Sequence, residues 1–349
     1  MPYNYVPILK AKEGELIALR HLSPQTKSNL TPLIELQPRE TPELLKRTIT
    51  QIRRGWIPTL PLLIDVDRNY LMNSTVSATD NLRNLLTELS EQDFNVMPVS
   101  GLRRPARFNS VVSDTVGEND NGICIRLQSL DWQDVSSLEN RLRNYVQGIS
   151  LQLSQVDLMF DYEPFLPSHL GTIITSAITT INSIGSIRQY RNVIIAATAF
   201  PSQSIAQPYM IYRFPRSEFQ AWTTLVSNPN IQRRPVFGDY TTVHPVLPDI
   251  DYAMGIKVAP KVKYATDSEW LCLRWDASDY ANFHRVCNTL VALPEFSGAA
   301  YSWGDGRIAQ CGTTGANTGN PREWVSISVN HHLTLVATQC ASRPSGRGN

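Results

Sequence analysis

Short apolar runs alternate with segments of helical periodicity along the chain up to about residue 245. Eight of these runs predict strands, because their apolar residues are nearly continuous; they cover residues 5–12, 31–36, 61–67, 95–101, 122–127, 156–162, 192–200 and 236–243. Helical spacing follows each run; Thr41 and Pro42, for example, supply an N-cap and a first-turn proline to the helix predicted after the second strand. Continuous apolar strands are typical of a parallel sheet covered by helices.

Eight strand–helix repeats over about 240 residues predict a (β/α)8 TIM-like barrel, an α/β fold of this usual size. A doubly wound open sheet has the same local pattern and is the alternative. No G-x-G-x-x-G follows any of the predicted strands, so the dinucleotide-binding version of that fold lacks its fingerprint.

The pattern changes after the eighth strand and predicts an appended α+β layer. A hairpin is expected within residues 254–275 and a helix over 278–293, and residues 321–339 alternate apolar and polar side chains as a half-buried strand does. Neighbouring side chains of a strand face opposite ways, so His331 and His332 are not expected to bind one ion. The predicted organisation is a barrel over 1–248, a C-terminal layer packed on it over 249–341 and a disordered tail over 342–349.

Composition and charge narrow the classes of protein. Apolar residues make up 42% of the 349 residues and the net charge is +1, as in a globular protein without an overall basic field. The basic runs at Arg103, Arg104 and Arg107 and at Arg233 and Arg234 are predicted to be solvated. Five widely spaced cysteines argue against a disulfide framework or a structural zinc site. With neither a signal peptide nor a membrane span in evidence, we expect a cytoplasmic protein.

Polar residues lie at the carboxyl ends of nearly all predicted strands, where barrels carry their sites. Several interrupt otherwise apolar runs, and buried charges must face one another, water or a ligand. The residues at these positions are Lys10, Lys12, Glu35, Asp65, Asp67, Ser100, Arg126, Asp161, Thr198 and Asp239.

Three interpretations fit this set of polar strand ends. Glu35, Asp65 and Asp161 could hold a divalent metal, Mg or Mn, or act as a base, while Lys10, Lys12 and Arg126 hold phosphate. A pair of carboxylates could instead act on a carbohydrate, with aromatic platforms from Tyr70, Tyr162 and Tyr240. The third interpretation is a closed salt-bridge network that caps the barrel core.

Several motifs, taken in order, resemble the phage-type "beta protein" family over nearly the whole chain. They are YVPILKAKEGE, PLIEL, VFGDY, KYATDSEWLCLRW, SWGDGRI and the W-x5-NHH of residues 324–332. The resemblance implies a barrel-like single domain, no established catalytic activity and an association with phage–host conflict. It also marks retained positions, namely Lys10, Lys12, Glu35, Asp239, Tyr240, Asp305, His331 and His332.

The combined prediction is a barrel protein of phage–host conflict, or antiviral defence, that binds a nucleotide or nucleic-acid end. If it is an enzyme, metal-dependent phosphodiester hydrolysis is the expected reaction. Candidate catalytic residues are Glu35, Asp65, Asp161, Asp239 and His331; candidate ligand-binding residues are Lys10, Lys12, Arg126, Tyr240, Asp305 and His332. Alternatively, a non-enzymatic module binds a phage or host protein through an exposed patch that contains Tyr301, Trp303 and Trp324.

Overall fold

The computed structural model describes residues 3–37, 41–201, 207–245, 259–279, 281–313 and 316–343. Eight strands form a closed parallel barrel: β1 (Tyr5–Leu9), β2 (Leu33–Leu36), β3 (Leu62–Val66), β4 (Val96–Ser100), β5 (Ile123–Leu127), β6 (Val156–Pro164), β7 (Asn192–Thr198) and β9 (Val236–Asp239). β9 pairs with both β7 and β1, which closes the barrel. All eight predicted strands are present, so the predicted (β/α)8 barrel is confirmed.

Two apolar layers hold the barrel together. Alternate strand residues point inward and outward, so Ile8 contributes to the lumen and its neighbour Leu9 to the space beneath the helices. The lumen is filled by Val6, Ile8, Leu33, Leu63, Met97, Val99, Cys124, Met159, Ile194 and Ala196. Because both faces of each strand are covered, the strands have the continuous apolar sequence from which they were predicted.

Helices surround the barrel as predicted. They are α1 (Glu13–Arg20), α2 (Pro24–Lys27), α3 (Pro42–Gly55), α4 (Arg68–Asn73), α5 (Thr75–Ser90), α6 (Ala106–Asn119), α7 (Val135–Gly148), α8 (Leu170–Asn182) and α9 (Ser217–Ser227). Thr41 caps α3 by accepting the Leu44 N–H at 3.3 Å, with Pro42 in the first turn, as expected from the sequence. In the described part of the chain, no helix combines the length and the apolar character needed to cross a bilayer.

A second, antiparallel sheet packs with two helices into the C-terminal layer. Its strand order is β10 (Lys261–Ala265), β11 (Glu269–Arg274) and β8 (Met210–Pro215). The hairpin and the helix α10 (Asn282–Val291) confirm the predictions for the described residues of this region; α11 (Trp303–Gly312) was not predicted. Two connections of the barrel contribute strands to this sheet. The connection between β7 and α9 contributes β8, and the connection after β9 contributes β10 and β11. Residues 246–258 and 344–349, which include part of the predicted hairpin and tail, lie outside the described residues.

The predicted strand over residues 321–339 is wrong, because these residues form the helix α12 (Pro321–Ala341). Asn320 caps it by accepting the Glu323 N–H at 3.1 Å, and Pro321 occupies its first turn. α12 is buried on two sides: Ile327 packs in the C-terminal layer, and Leu333 in the barrel core. A helix covered on opposite faces lacks the single apolar stripe from which helices are recognised.

α12 takes the place of the eighth helix of the barrel. It packs against α1 and β1, and its barrel-facing residues Val329, Leu333, Val336 and Ala337 belong to the same apolar core as the other helices of the ring. Two glycines allow α1 and α11 to approach α12 closely. A Cβ on Gly14 of α1 would meet the Arg322 carbonyl oxygen at 2.9 Å, and a Cβ on Gly304 of α11 would collide with the Ile327 carbonyl. The last helix of the chain therefore joins the barrel to the layer.

Candidate functional site

Half of the polar strand ends predicted from the sequence converge with Tyr240 at the carboxyl end of the barrel. A barrel of parallel strands brings the side chains at these ends to one mouth. The converging residues, none more than 7% exposed, are Lys10, Glu35, Asp65, Arg126, Asp161 and Tyr240. Charges buried to this degree are stable only where they pair with one another.

Arg126, on β5, lies at the centre of this set. Its Nη1 donates to Glu35 Oε2 at 2.6 Å and to Asp65 Oδ2 at 2.7 Å. Its Nε and Nη2 donate to Asp161 Oδ2 at 2.9 and 2.7 Å, and Nη2 also donates to Tyr240 OH at 2.9 Å. Tyr240 OH in turn donates to Asp161 Oδ2 at 2.6 Å. One planar guanidinium thus contacts three carboxylates, which the single ammonium of a lysine could not match.

Two further cations complete the pairing. Lys10 Nζ forms an ion pair with Glu35 Oε1, and Arg104 Nη2 donates to both oxygens of Asp65 at 2.8 and 3.1 Å. The prediction of a solvated basic run is wrong for Arg104, whose side chain is only 13% exposed because its loop brings it over the mouth. Three cations therefore face three carboxylates. We name this set, with its tyrosine, the ionic cap: Lys10, Glu35, Asp65, Arg104, Arg126, Asp161 and Tyr240.

The pairing keeps Glu35 ionised. Burial alone would raise the pKa of Glu35, but Arg126 and Lys10 outweigh it and lower that pKa to about 2. Burial and the Asp161 carboxylate raise the pKa of Tyr240 well above its usual range, so its hydroxyl stays protonated and donates. At neutral pH Glu35 is therefore a paired anion, 2% exposed.

The predicted metal ligands Glu35, Asp65 and Asp161 come together, but around a guanidinium. Arg126 lies within hydrogen-bonding distance of all three carboxylates and occupies the position between them. Across the described residues, no group of three or more His, Cys, Asp or Glu side chains is arranged to hold a metal ion. The residues at the mouth do not fit a divalent cation in this arrangement.

Asp239, at the end of β9, pairs with α12. Its Oδ2 accepts from His332 Nε2 at 2.7 Å, and its Oδ1 accepts from Tyr5 OH at 2.6 Å and from the Thr241 N–H at 3.1 Å. Burial lowers the pKa of His332, which favours the neutral ring with its proton on Nε2. The ring also stacks on Trp270 with centroids 4.8 Å apart, so His332 connects the barrel, α12 and β11.

His331 points to the C-terminal layer instead. Its Nδ1 lies 2.8 Å from Asp305 Oδ2 and its Nε2 lies 2.8 Å from the Ala265 carbonyl oxygen. Tyr264 stacks on the ring at 3.8 Å and donates its hydroxyl to Asp305 Oδ1 at 2.7 Å. Both imidazole nitrogens are thus occupied by buried acceptors. Successive residues of a helix are rotated by about 100°, which explains why the two histidines serve different parts of the protein.

Asn330 extends this arrangement by one residue. Its Nδ2 donates to the Ala18 carbonyl of α1 at 3.0 Å, and its Oδ1 accepts from the Gly304 N–H of α11 at 2.9 Å. The three residues of the NHH motif therefore attach α12 to three surroundings. Lys12, by contrast, is an exposed N-cap of α1. Four of the residues marked by the family motifs therefore do not belong to the ionic cap: Lys12, Asp305, His331 and His332.

The sequence pattern did not predict two buried charged residues under β11, Glu218 and Arg216. Glu218 accepts from Trp270 Nε1 and from the Ala199 N–H, both at 3.2 Å, and burial raises its pKa to about 7. Arg216 is fully buried beside it and donates from Nη1 to the Thr266 carbonyl at 2.7 Å. Neither residue lies in a predicted strand, so strand-end reasoning had no signal for them.

These features define a class of protein: a TIM-like barrel with a buried ionic cap, whose C-terminal layer is inserted before an eighth helix. The family model described as Beta protein matches residues 5–338, nearly the whole chain, and the chain belongs to this family. The resemblance inferred from the motifs is thereby confirmed. No curated protein matches the chain.

Proposed function

We propose that the protein binds a phosphate-bearing ligand, a nucleotide or nucleic-acid end, at the carboxyl rim of its barrel. We define the carboxyl rim as six described stretches that follow the carboxyl ends of β1 to β6 and include the first residues of the helices there: residues 10–13, 41–44, 67–76, 101–107, 128–135 and 165–170. The ionic cap forms the floor beneath these segments. The observation that carries the proposal is the mixture of exposed cationic and apolar side chains on the rim.

The exposed rim cations are Lys12, Arg68, Arg103 and Arg107, of which Arg107 is paired with Asp80. Arg68 donates to Gln128 Oε1 at 2.7 Å, and the 56% exposed side chain of Arg103 donates to the Leu130 carbonyl at 2.8 Å. These bonds join separate loops and hold the guanidinium groups at the surface, where they can meet a phosphate.

Large apolar side chains share the rim with these cations. Of the eight that are exposed in the described part of the chain, five lie on the rim: Leu44, Met72, Val76, Leu130 and Leu166. Met72, 62% exposed, follows Arg68 by four residues on α4, so the two side chains share a helix face. Single exposed apolar residues are ordinary, but their concentration at one end indicates a binding surface. A nucleobase and its phosphate would contact both kinds of side chain.

The ionic cap supports binding better than catalysis. A general base must reach its substrate, whereas Glu35 is buried, anionic and paired with two cations. Metal-assisted phosphodiester hydrolysis stays a prediction, and it would require the carboxylates to leave Arg126. The role in phage–host conflict is part of the proposal and rests on the family resemblance.

The two alternative functions receive less support. Trp324 is buried in the core of the C-terminal layer, and Trp303 stacks on His21 at 4.1 Å instead of standing in an exposed patch. Tyr70 and Tyr240 are buried, so they offer no platform to a sugar ring. The surfaces expected of an interaction module or a carbohydrate-active barrel are therefore not formed by these residues.

The test is a binding titration with inorganic phosphate, AMP, ATP and a short 5′-phosphorylated single-stranded DNA. We expect saturable binding that Arg68→Gln weakens about tenfold, the effect of one charge-assisted hydrogen bond. Met72→Ser should weaken the binding of the nucleotides but not the binding of inorganic phosphate.

Arg54→Gln is the matched control, because Arg54 is exposed in the last turn of α3, at the opposite end of the barrel. No saturable binding of any probe would refute the proposal. So would an Arg54→Gln effect as large as that of Arg68→Gln.

A further inference from the structure

Two of the five cysteines are brought together where α10 and α11 pack in the C-terminal layer. Cys287 lies on α10 and Cys311 in the last turn of α11, both inside the apolar core of the layer. The two helices pack against each other, and both thiols are buried where they do. The sequence separates them widely and gives no motif that pairs them, so only the packing of the two helices makes them neighbours.

Further contacts fix Cys311 against α10. Its Sγ donates to the Phe283 carbonyl at 3.7 Å, and its own carbonyl oxygen lies 2.5 Å from His284 Nδ1. Phe283 is one helical turn before Cys287, so the Cys311 thiol faces the stretch of α10 that carries its partner. The next residue, Gly312, lies against Asn288, where an added Cβ would meet Oδ1 at 2.7 Å. The end of α11 is therefore held beside Cys287 by several independent contacts.

The two thiols shift each other's pKa in opposite directions. The neighbouring Cys287 thiol lowers the pKa of Cys311, whereas the Cys311 thiol and burial raise that of Cys287. A thiol whose pKa is lowered is the better nucleophile toward an oxidant. The other cysteines occupy different places: Cys124 in the barrel lumen, Cys272 beside β8, and Cys340 in the barrel core.

We propose that Cys287 and Cys311 form a reversible disulfide when the protein meets a peroxide. The Cys311 thiolate attacks one peroxide oxygen; for hydrogen peroxide, a proton is taken up, water leaves and a sulfenic acid forms on Cys311. The Cys287 sulfur then attacks the Cys311 sulfur, and the hydroxyl leaves with a proton as a second water. Two thiols are oxidised by two electrons and one peroxide is reduced to two waters. The bond would join α10 to α11 covalently and stabilise the layer.

The test is peptide mapping of the full chain after treatment with hydrogen peroxide, with free thiols blocked before unfolding. Trypsin places the two cysteines on separate peptides, residues 286–307 and 308–322. We expect these peptides to be linked by a disulfide, the number of free thiols to fall from five to three, and dithiothreitol to restore all five. The melting temperature should rise by several degrees on oxidation.

Cys311→Ser and Cys287→Ser should each abolish the linked peptides and the rise in melting temperature. Cys272→Ser, at the third cysteine of the layer, is the matched control and should leave both unchanged. Because both reactive thiols are at most 2% exposed, the reaction is followed to its end point and not only at its initial rate. Five free thiols after prolonged peroxide treatment of the wild-type chain, or a disulfide between any other pair, would overturn the proposal.

Discussion

At the scale of single residues, the ionic cap depends on one arginine. Arg126 contacts three carboxylates, while Lys10 and Arg104 each neutralise one more carboxylate oxygen. The residue types alone are compatible with three interpretations: a metal and phosphate site, a carboxylate pair that acts on a carbohydrate, or a closed salt-bridge cap. The contacts favour the cap, since no carboxylate of the set is without a cation.

Glu35→Gln tests this at neutral and acidic pH. The folded pKa of Glu35 is about 2, below the ordinary 4.5 of the unfolded chain. Its stabilising contribution is therefore fully present above about pH 4.5 and lost as the pH falls toward 2. We expect the variant to lose about 3 kcal/mol of unfolding free energy at pH 7, because Lys10 and Arg126, both buried, each lose one carboxylate partner. Urea denaturation should show that the difference in unfolding free energy between the wild-type protein and the variant becomes smaller as the pH falls toward 3.

Asp80→Asn is the control for this comparison. Asp80 pairs with Arg107 at 2.8 Å, but both side chains are about half exposed. Removal of such a surface pair should change the unfolding free energy by no more than about 1 kcal/mol. A Glu35→Gln protein as stable as Asp80→Asn would mean that the cap does not stabilise the fold.

At the scale of elements, α12 is the helix on which the packing converges. It runs against α1 on one side and α11 on another, and glycines on both neighbours allow the backbones to approach. It is covered on two opposite faces, which is why its pattern of apolar and polar residues predicted a strand. The helix forms because Asn320 and Pro321 start it and because neighbours cover both of its faces.

We expect Gly304→Ala to destabilise the protein by about 1–3 kcal/mol, the range for overpacking in a close-packed core. Its new Cβ would be nearer to the Ile327 carbonyl oxygen than real Cβ atoms come. The matched control is Gly117→Ala in α6, where no atom lies within 4 Å of the added Cβ. There the better helix propensity of alanine should stabilise by up to about 1 kcal/mol. Equal effects in thermal denaturation would contradict this packing.

At the scale of the whole molecule, the barrel and the C-terminal layer share structural elements. α12 completes the barrel, β8 leaves the barrel between β7 and α9 to join the second sheet, and His331 and His332 bind opposite parts. Parts connected in this way cannot unfold independently without breaking buried hydrogen bonds.

We therefore expect calorimetry to show a single unfolding transition. His332→Phe keeps an aromatic ring on Trp270 but removes the hydrogen bond to Asp239, and it should lower the melting temperature by several degrees without splitting the transition. His21→Phe is the control, since His21 is an exposed ring stacked on Trp303 and should change little. Two separate transitions in either protein would show that the layer and the barrel are independent.

The order of apolar runs and helical segments along the chain was enough to predict the barrel and the place of its polar mouth. Continuous apolar strands with helices between them admit few folds, and parallel strands necessarily bring their carboxyl ends together. The positions of the polar strand ends were therefore enough to identify Lys10, Glu35, Asp65, Arg126 and Asp161 as residues of the mouth. The family motifs added Tyr240, which belongs to the ionic cap, and also Asp305, His331 and His332, which lie outside it.

Which of these residues pair, and with what, depends on contacts that form only in the folded protein. Local sequence does not tell whether the three carboxylates surround a metal ion taken up from solution or the guanidinium of Arg126. It also does not tell that Arg104 lies at the mouth. The helix α12, the contact between Cys287 and Cys311 and the burial of Glu218 were also beyond local reasoning. In each case the deciding interaction joins residues that are distant in the chain, and its energy arises only when both are removed from water.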